Sequence, residues 1–382
     1  MRVALIHDWL TGMRGGERCL EIFCELFPDA PIYTLIHQKG SVSQIIERHP
    51  IVSSVLNRLP WMSKHYRYWL PLFPRAIQAF NLKGFDCILS SSHCVAKGVR
   101  VPQGTCHQSY IHTPMRYIWD AHAQYCREGT GLNLGALGMK VFRHRLQQWD
   151  VQSNQHVHDF IANSHHVAER VHRHYGRKAS VVHPPVDWQT FSVSEQDEGF
   201  YLMVTAFAPY KRVDLAIHAA NEMKRPLKIV GRGQEEQYLK GLAGPTVEFL
   251  GWQPDGDVRE LYRKCRAVLF PGEEDFGIVP LEAMACGKAV IAYGKGGVLE
   301  TVLPLNPLPA IPPNVPPTGV FFYEQSTQPL INAIQLFESR KNEFSPHAIR
   351  AHIEPFDRVH FKERMKQVIM TNYEYFCLTQ KC

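Results

Sequence analysis

The chain has 382 residues, a length that exceeds one ordinary hydrophobic core and suits two α/β domains of similar size. Hydrophobic residues make up 45% and charged residues 20% of the chain, which is typical of a globular protein and excludes a disordered one. The longest apolar runs are strand-sized, the first residues lack a signal-peptide pattern, and the ten cysteines include no C-x-x-C pair. These features predict a cytosolic protein with reduced thiols and no membrane span.

The net charge of +6 is distributed unevenly. Residues 1–190 hold 21 Lys and Arg against 13 Asp and Glu, whereas residues 191–382 hold 21 against 23. A basic half favours an anionic partner, such as a membrane surface, a phosphorylated lipid or a nucleic acid, although solvated surface charge explains the same count. Because no nucleic-acid motif accompanies the charge, we expect no nucleic-acid partner.

Strand and helix patterns alternate through the first half. A buried strand over 2–7 is followed by Gly12, Gly15 and Gly16 and by a helical apolar pattern over 17–26, which together start a doubly wound α/β unit. Further strands are predicted at 31–35, 87–90, 109–112, 160–162 and 180–183.

The same alternation restarts near residue 200. Strands are predicted at 201–205, 227–230, 247–250, 267–270 and 289–292, with helices at 213–223, 235–242, 258–265 and 278–286. This order of elements indicates a second parallel sheet. A polar stretch without periodicity places the linker at about 188–199, so we expect an N-terminal domain over 1–187 and a C-terminal domain over 188–355.

The segment 273–288 carries the most specific signal. A loop that contains Glu274 leads into a helix that begins near Ile278, and Glu282 lies eight positions after Glu274. Both carboxylates are therefore expected at the carboxyl edge of the sheet, beside the N–H groups of the helix start. Carboxylates accept hydrogen bonds from sugar hydroxyls and backbone N–H groups bind phosphates, which together predict a sugar-nucleotide site.

The string F-G-x-x-P-x-E-A-M-A-x-G with this glutamate spacing resembles the signature of the retaining glycosyltransferases of family four. Their GT-B fold has two Rossmann-like domains that face each other across a cleft. The resemblance runs nearly end to end, and it implies that residues 356–382 form a C-terminal helix that returns to the first domain. The segments 90–93 and 112–120 resemble a narrower group, the bacterial mannosyltransferases that build O-antigen or exopolysaccharide.

The resemblance implies roles for individual residues. Two are catalytic candidates: His112 would support positive charge at the donor sugar, and Glu274 would bind the sugar hydroxyls. The remaining candidates would bind the nucleotide-sugar donor: Gly15 and Gly16 by backbone approach, Lys211 and Arg212 at the diphosphate, Phe276, Gly277 and Ile278 at the sugar and diphosphate, Glu282 at the ribose, and Gly231 and Trp252 near the base. No protein nucleophile is apparent, so front-face attack is implied.

These roles predict a retaining hexosyltransferase that moves mannose from GDP-mannose to a hydroxyl of a lipid-linked or oligosaccharide acceptor, in the synthesis of lipopolysaccharide or exopolysaccharide. We expect no cofactor and no essential metal, since Lys211, Arg212 and the helix N–H groups would stabilise the diphosphate. Asp255-Gly-Asp257 fits capping of a helix at Val258 better than metal binding. The alternatives are another GT-B enzyme, such as a UDP-sugar transferase, a phosphorylase or an epimerase, and a non-catalytic protein that binds anions or nucleic acid.

Basic and aromatic residues mix between Arg58 and Arg75, among them Trp61, Lys64 and Trp69. This composition suits a membrane interface. It predicts peripheral contact with the cytoplasmic face of an anionic inner membrane, where a lipid-linked acceptor would lie. A half-buried helix and loop is the alternative.

Overall fold

The computed structural model describes residues 1–59, 66–119, 134–305 and 315–380. The chain divides into two compact units: Met1–Pro185 with Val359–Cys382, and Val186–Arg358. Each unit contains one parallel sheet. No helix among the described residues combines the length and the apolar character that crossing a membrane requires.

The first unit is a doubly wound sheet of seven strands. Its strands are β1 (Val3–His7), β2 (Ile32–Thr34), β3 (Ile51–Ser53), β4 (Cys87–Ser92), β5 (Cys106–Ile111), β6 (Asp159–Ala162) and β7 (Ala179–Val181). Its helices before residue 185 are α1 (Gly15–Leu26), α2 (Gln44–Glu47), α3 (Phe73–Ile77), α4 (Arg116–Trp119), α5 (Leu134–Gln152) and α6 (His165–Tyr175). The order β3-β2-β1-β4-β5-β6-β7 reverses direction beside β1, so the loops after β1 and β4 leave the sheet on either side of one point.

The second unit is a sheet of six strands in the order β10-β9-β8-β11-β12-β13. Its strands are β8 (Tyr201–Val204), β9 (Leu227–Val230), β10 (Val247–Gly251), β11 (Ala267–Phe270), β12 (Val290–Tyr293) and β13 (Gly319–Phe322). The helices that follow in the chain are α7 (Val213–Met223), α8 (Glu236–Leu242), α9 (Asp255–Lys264), α10 (Ile278–Ala285), α11 (Thr327–Ser339), α12 (Pro346–His352) and α13 (Arg358–Thr379).

All the strands predicted from the sequence are confirmed, with small shifts at their ends. The largest shift is at β5, which begins at Cys106 and ends at Ile111, so His112 lies just beyond the strand. The prediction that Asp255-Gly-Asp257 caps a helix at Val258 is wrong in register, because α9 already begins at Asp255. The sequence analysis missed β3 and β13, which each lie at an edge of their sheet.

The C-terminal helix α13 packs on the first unit. The Phe361 ring lies 6.1 Å from the ring of Phe23 on α1 and 5.7 Å from the ring of Tyr110 on β5. The side-chain amide of Gln108 donates to the carbonyl oxygen of Ile369 at 2.9 Å. The helix therefore completes the apolar core of this unit, although it lies at the other end of the sequence.

The segment between Arg58 and Arg75 is described in part. Residues 60–65 lie outside the described residues, and with them Trp61 and Lys64. Leu70 and Phe73 are buried in the core of the first unit, whereas Trp69 and Leu72 are 41% and 39% exposed. The described part therefore contains both core residues and exposed apolar side chains.

Candidate functional site

The carboxyl edge of the first sheet brings Gly15, Gly16 and His112 close together. The Nε2 atom of His112 lies 2.8 Å from the hydroxyl oxygen of Ser91 on β4. Helix α1 begins at Gly15, and a Cβ atom at Gly16 would lie 3.5 Å from His112 Nε2. The absence of side chains at the start of α1 therefore leaves its backbone directly beside the imidazole.

The backbone of His112 is fixed as firmly as its ring. Its N–H group donates to the carbonyl oxygen of Ser92 at 2.8 Å, and its carbonyl oxygen accepts from the Asn163 amide at 3.0 Å. The ring packs edge-on against Tyr110, with 5.1 Å between centroids. The two groups that the resemblance assigns to His112, carbonyl and imidazole, are thus held in one conformation.

A buried carboxylate that the sequence analysis missed, Asp8, organises the loop after β4. Its Oδ1 atom accepts from the N–H groups of Val95 at 2.6 Å and Ala96 at 2.8 Å. Its Oδ2 atom accepts from the N–H groups of His93 at 2.8 Å and Cys94 at 2.9 Å. Hydrogen bonds to an ionised acceptor are short and strong, so Asp8 fixes the path of the chain between β4 and β5.

His7, Ser91 and Glu17 form a second buried group that the sequence analysis missed. The Nδ1 atom of His7 lies 3.1 Å from the Ser91 hydroxyl, and its Nε2 atom lies 3.6 Å from Glu17 Oε1. Burial opposes ionisation of Glu17, but the polar contact with the His7 side chain and the charge that His7 and His93 carry when protonated outweigh it, so the pKa of Glu17 is lowered. The one signal in the sequence was the placement of His7 and Ser91 near strand ends. No local pattern links these two residues, which are 84 positions apart, to each other or to Glu17 in α1.

At the carboxyl edge of the second sheet, four loops follow the adjacent strands β10, β9, β8 and β11. Trp252 follows β10, Gly231 follows β9, Lys211 lies in the loop after β8, and Glu274 lies in the loop after β11. Three strand spacings of about 4.8 Å place the loops of Trp252 and Glu274 roughly 14 Å apart along this edge. The predicted donor residues therefore occupy one line, with the base candidates at one end and the sugar candidate at the other.

Lys211 and Glu274 form an ion pair through Nζ and Oε1. Their side chains are 13% and 21% exposed, and Lys211 Nζ also lies 5.0 Å from the ring centroid of Tyr210. The ammonium group can bind a phosphate and the carboxylate can bind sugar hydroxyls. In this structure the two groups neutralise each other.

Three glycines that the sequence analysis did not single out hold this pair in place. A Cβ atom at Gly272 would lie 2.9 Å from the Lys211 Cα atom, and one at Gly296 would lie 2.5 Å from the Glu274 carbonyl oxygen. The N–H group of Gly297 donates to that carbonyl at 2.8 Å. Side chains at these positions would force the loops of Lys211 and Glu274 apart.

Helix α10 begins close to Glu274, and its N-terminal end can bind an anion. Gly277 has φ +92°, in the left-handed region that favours glycine, and the helix begins at Ile278. The N–H groups of the first turn have no acceptors within the helix and carry partial positive charge. Phe276 is buried, with its ring 6.1 Å from that of Phe356, so its backbone is the part that can face a ligand.

Glu282 is oriented by a buried tyrosine. The Tyr262 hydroxyl donates to Glu282 Oε2 at 3.0 Å. Burial and the neighbouring Glu282 raise the pKa of Tyr262 well above its usual range, so the phenol keeps the proton that it donates. The side chain of Glu282 is thereby fixed in the second turn of α10.

The guanidinium group of Arg212 is engaged by its own helix. Its Nε and Nη2 atoms donate to the Asp214 carboxylate at 3.1 and 3.0 Å, and Nη1 donates to the Gln325 carbonyl oxygen at 3.4 Å. The residue has φ +51°, a conformation that is unfavourable for a side chain and is often found at functional sites. The structure thus brings the backbone of Arg212 next to Lys211 and pairs its side chain with Asp214.

A family pattern covers this part of the chain. The family described as "Glycosyl transferases group 1" matches residues 187–351, which include every predicted donor residue of the second unit. Residues 187–351 form a glycosyl transferases group 1 domain. Two curated relatives agree with this assignment. An uncharacterized glycosyltransferase of Methanocaldococcus jannaschii is 30% identical over 148 residues, 37% of this chain and 42% of that protein.

The second relative is the serotype-specific mannosyltransferase WbdA of Escherichia coli, 31% identical over 118 residues, 27% of this chain and 14% of that protein. The matches thus span less than half the length of these curated relatives. Among solved structures, HepE of Anabaena in complex with UDP superposes with a TM-score of 0.69 at 17% identity, over 97% of this chain and 100% of that one. This likeness concerns the fold of both units alone, and it confirms the predicted GT-B fold class.

Within the group 1 domain, the structure brings some predicted residues together and separates others. Lys211, Glu274 and the start of α10 meet at one point of the sheet edge. Gly231 and Trp252 lie on the adjacent loops, where the Gly231 N–H group donates to the Gly251 carbonyl oxygen at 2.8 Å. The Trp252 side chain is 67% exposed. The domain therefore presents a compact cationic and acidic centre, with an exposed aromatic ring at the other end of the same line of loops.

Proposed function

We propose that the chain is a retaining glycosyltransferase that moves mannose from GDP-mannose to a hydroxyl of a lipid-linked or oligosaccharide acceptor. The observation that carries the proposal is the Lys211–Glu274 ion pair beside the start of α10, in a domain of the glycosyl transferases group 1 family. The narrower choice of mannose is supported by the likeness to WbdA, which is named a mannosyltransferase.

The chemistry follows from the charges at this site. In the reaction, the acceptor oxygen forms a bond to the anomeric carbon, the bond from that carbon to the diphosphate breaks, and a diphosphate oxygen takes the acceptor's proton. Lys211 and the N–H groups at the start of α10 would stabilise the charge on the leaving diphosphate, so no metal is needed. Glu274, released from Lys211, would bind the sugar hydroxyls, while His112 would support the positive charge on the sugar.

The remaining predicted residues would bind the nucleoside. Glu282, which Tyr262 orients, would accept from the ribose hydroxyls. Trp252 would offer an exposed aromatic surface to the base, and the backbone of Gly231 lies on the adjacent loop. Arg212 would act on the diphosphate only by exchanging its Asp214 partner for the ligand.

The test is thermal unfolding of the full chain with GDP, UDP and ADP in the presence of EDTA. A ligand at a hundred times its Kd stabilises the protein by about 2.7 kcal/mol, which raises Tm by several degrees. We expect a shift with GDP and none of comparable size with ADP or UDP. A shift with UDP alone would replace the mannosyl donor by a UDP-sugar, as the UDP complex of HepE supports. No shift with any nucleotide would overturn the proposal.

Transfer itself is measured with GDP-mannose and a lipid-linked oligosaccharide, and the anomeric configuration of the product is read by NMR. Glu274→Gln should reduce turnover by about 100-fold or more, because the neutral amide is a weaker acceptor for hydroxyls. Glu273→Gln is the matched control, since its carboxylate pairs with the exposed Lys295 at 3.1 Å. Equal losses in both variants, or an inverted product, would contradict the assigned role of Glu274 or the retaining reaction.

We also propose peripheral membrane contact at the cytoplasmic face through the segment between Arg58 and Arg75. Its support is the pair of exposed apolar side chains, Trp69 and Leu72, beside a sequence with an excess of basic residues. Replacing both by serine should reduce cosedimentation with vesicles that contain anionic lipid. Tyr238→Ser, an exposed aromatic residue of the second unit, is the control. Unchanged vesicle binding in the double variant would remove this proposal.

A further inference from the structure

A chain of polar side chains connects Glu17 to His112 through the interior of the first unit. His7 Nδ1 lies 3.1 Å from Ser91 Oγ, and Ser91 Oγ lies 2.8 Å from His112 Nε2. His7 and Ser91 are fully buried, and Glu17 is 2% exposed. The proposed reaction uses only the last member of this chain, so the first three residues have no role yet.

The Glu17 carboxylate determines which atoms donate and which accept in this series of side chains. Its Oε2 atom accepts from the Arg14 N–H group at 3.0 Å, and its Oε1 atom faces His7 Nε2 at 3.6 Å. This second distance is longer than a hydrogen bond, but a buried carboxylate at this range attracts an N–H group and repels a nitrogen lone pair. In its neutral form His7 therefore carries its proton on Nε2, and its Nδ1 atom is an acceptor.

The remaining hydrogen-bond directions follow because a serine hydroxyl has only one proton to donate. Ser91 has a single O–H proton, which it donates to the acceptor Nδ1 of His7. The Ser91 oxygen then accepts from His112 Nε2, so this nitrogen must carry the proton. We propose that Glu17, His7 and Ser91 are positioning residues that fix His112 in the tautomer with the proton on Nε2 and the lone pair on Nδ1.

This tautomer suits the role of His112, an argument that rests on the proposed function. A nitrogen lone pair accepts a hydrogen bond from a sugar hydroxyl and is attracted to the positive charge that develops on the sugar. The other tautomer would place a proton on Nδ1, which would oppose that charge. The hydrogen bonds among the buried side chains thus favour the tautomer of His112 that stabilises the transition state.

A neighbouring serine–histidine pair, Ser90 on β4 and His107 on β5, has its hydrogen bond in the opposite direction. Ser90 Oγ lies 2.9 Å from His107 Nε2, while His107 Nδ1 lies 3.2 Å from the carbonyl oxygen of His156. A carbonyl only accepts, so His107 carries its proton on Nδ1 and accepts from Ser90 at Nε2. Burial lowers the pKa of His107 to about 3, which keeps the ring neutral. Ser90 and Ser91 point to opposite faces of β4, so the two pairs do not share a partner.

The tautomers are read by long-range ¹H–¹⁵N correlation NMR on the full chain labelled with ¹⁵N-histidine at pH 8, with His112→Asn and His107→Asn for assignment. We expect the proton of His112 on Nε2 and the proton of His107 on Nδ1. A proton on Nδ1 of His112 in the wild type would overturn the proposal.

Glu17→Gln provides the decisive variant. The Arg14 N–H group needs an acceptor, so the amide oxygen of Gln takes the Oε2 position and its NH₂ group faces His7 Nε2. This reverses each hydrogen bond between Glu17 and His112 and moves the proton of His112 to Nδ1. The tautomer of His107 should stay unchanged. Ser91→Ala removes the hydroxyl between His7 and His112, so it should give a mixture of His112 tautomers. Ser90→Ala is the matched control and should leave the His112 signal as in the wild type.

Turnover of GDP-mannose separates positioning from a merely structural role. Glu17→Gln and Ser91→Ala should lower kcat by at least about tenfold with little change in KM, and Ser91→Thr, which restores the hydroxyl, should recover most of the loss. A His112 tautomer that does not respond to Glu17→Gln would overturn the proposal. A wild type that carries the expected tautomers but transfers no sugar would overturn the proposed function alone.

Discussion

The carboxyl edges of the two sheets hold their carboxylates in different ways. In the first unit, Asp8 and Glu17 are buried and accept hydrogen bonds from backbone N–H groups. In the second unit, Glu274 and Glu282 are half-buried and pair with side chains, a lysine ammonium group and a tyrosine hydroxyl. Backbone partners hold a group in one place, whereas a side-chain partner can be exchanged for a ligand. We therefore expect the first edge to act as a fixed scaffold for His112 and the second edge to rearrange when a ligand binds.

The largest effect is expected at Asp8. Asp8→Asn replaces one carboxylate oxygen by an NH₂ group, which then faces two backbone N–H donors. Because these donors are buried, we expect a loss of roughly 3–5 kcal/mol in the free energy of unfolding. Thermal or urea unfolding measures it.

Asp86→Asn is the control for that prediction. Asp86 accepts from the Arg2 N–H group at 2.6 Å, but its side chain is 44% exposed. Water can replace the lost hydrogen bond, so the loss should be below about 1 kcal/mol. If both variants lose the same stability, the contrast between a buried scaffold and an exposed hydrogen bond does not hold.

The next effect concerns the second edge. Lys211→Met removes the partner of Glu274 and the cation proposed for the diphosphate, so GDP should bind about 10- to 100-fold more weakly, or about 1.4–2.8 kcal/mol. Titration calorimetry measures the Kd. The Tm without ligand should change little, because the pair is half-buried and exchangeable.

Lys295→Met is the matched control for the nucleotide titration. Lys295 pairs with Glu273 at 3.1 Å, one residue before Glu274, and its side chain is 59% exposed. Its replacement should leave the Kd for GDP within about twofold. Weaker GDP binding in this variant as well would show that general positive charge, rather than Lys211, attracts the nucleotide.

A smaller effect is expected for the pH dependence of stability. The pKa of Glu17 is lower in the folded protein than its ordinary value near 4.5, because the His7 and His93 contributions outweigh the opposing effect of burial. Its ionised form therefore stabilises the fold above about pH 4.5, and this contribution is lost as the pH falls through the folded pKa. The difference in Tm between the wild type and Glu17→Gln should stay constant from pH 7 to about pH 4.5 and shrink as the pH falls below that value. A Tm difference that grows as the pH falls would contradict this prediction.

The smallest effect on stability is expected at Gly16. An added Cβ atom would meet His112 Nε2 and His7 Cε1 at 3.5 Å, which is ordinary contact, and the residue does not have positive φ. Gly16→Ala should therefore change the free energy of unfolding by less than about 0.5 kcal/mol. Turnover should fall several-fold, since the methyl group lies against the imidazole.

Gly231→Ala is the contrasting glycine of the second edge. Gly231 has φ +139°, and a Cβ atom there would overlap the Thr205 carbonyl oxygen. The variant should lower the Tm clearly, because neither backbone segment can move without breaking the sheet edge. A Tm equal to that of Gly16→Ala would contradict this reading of the loop.

The order of elements, and the placement of the candidate donor residues at one sheet edge, could be predicted from the sequence. Alternating strand and helix patterns are local properties of short segments. The predicted strands at 201–205 and 227–230, with a helix between them, therefore indicate a parallel sheet, although they do not indicate its strand order. The helix start at Ile278 and the spacing of Glu274 and Glu282 lie within one loop and one helix. Chain connectivity alone fixes that these groups meet at the carboxyl edge.

The tertiary structure alone decided the partners of these groups. Strand order placed Ser91 beside both His7 and His112, which are 84 and 21 positions away, and no local pattern encodes such pairs. The structure also paired Lys211 with Glu274 through glycines at 272 and 296 whose need for close packing is invisible in sequence. The sequence thus determined which chemical groups reach the two sheet edges. Packing determined which donor faces which acceptor, because hydrogen bonds depend on distances between segments that are remote in the chain.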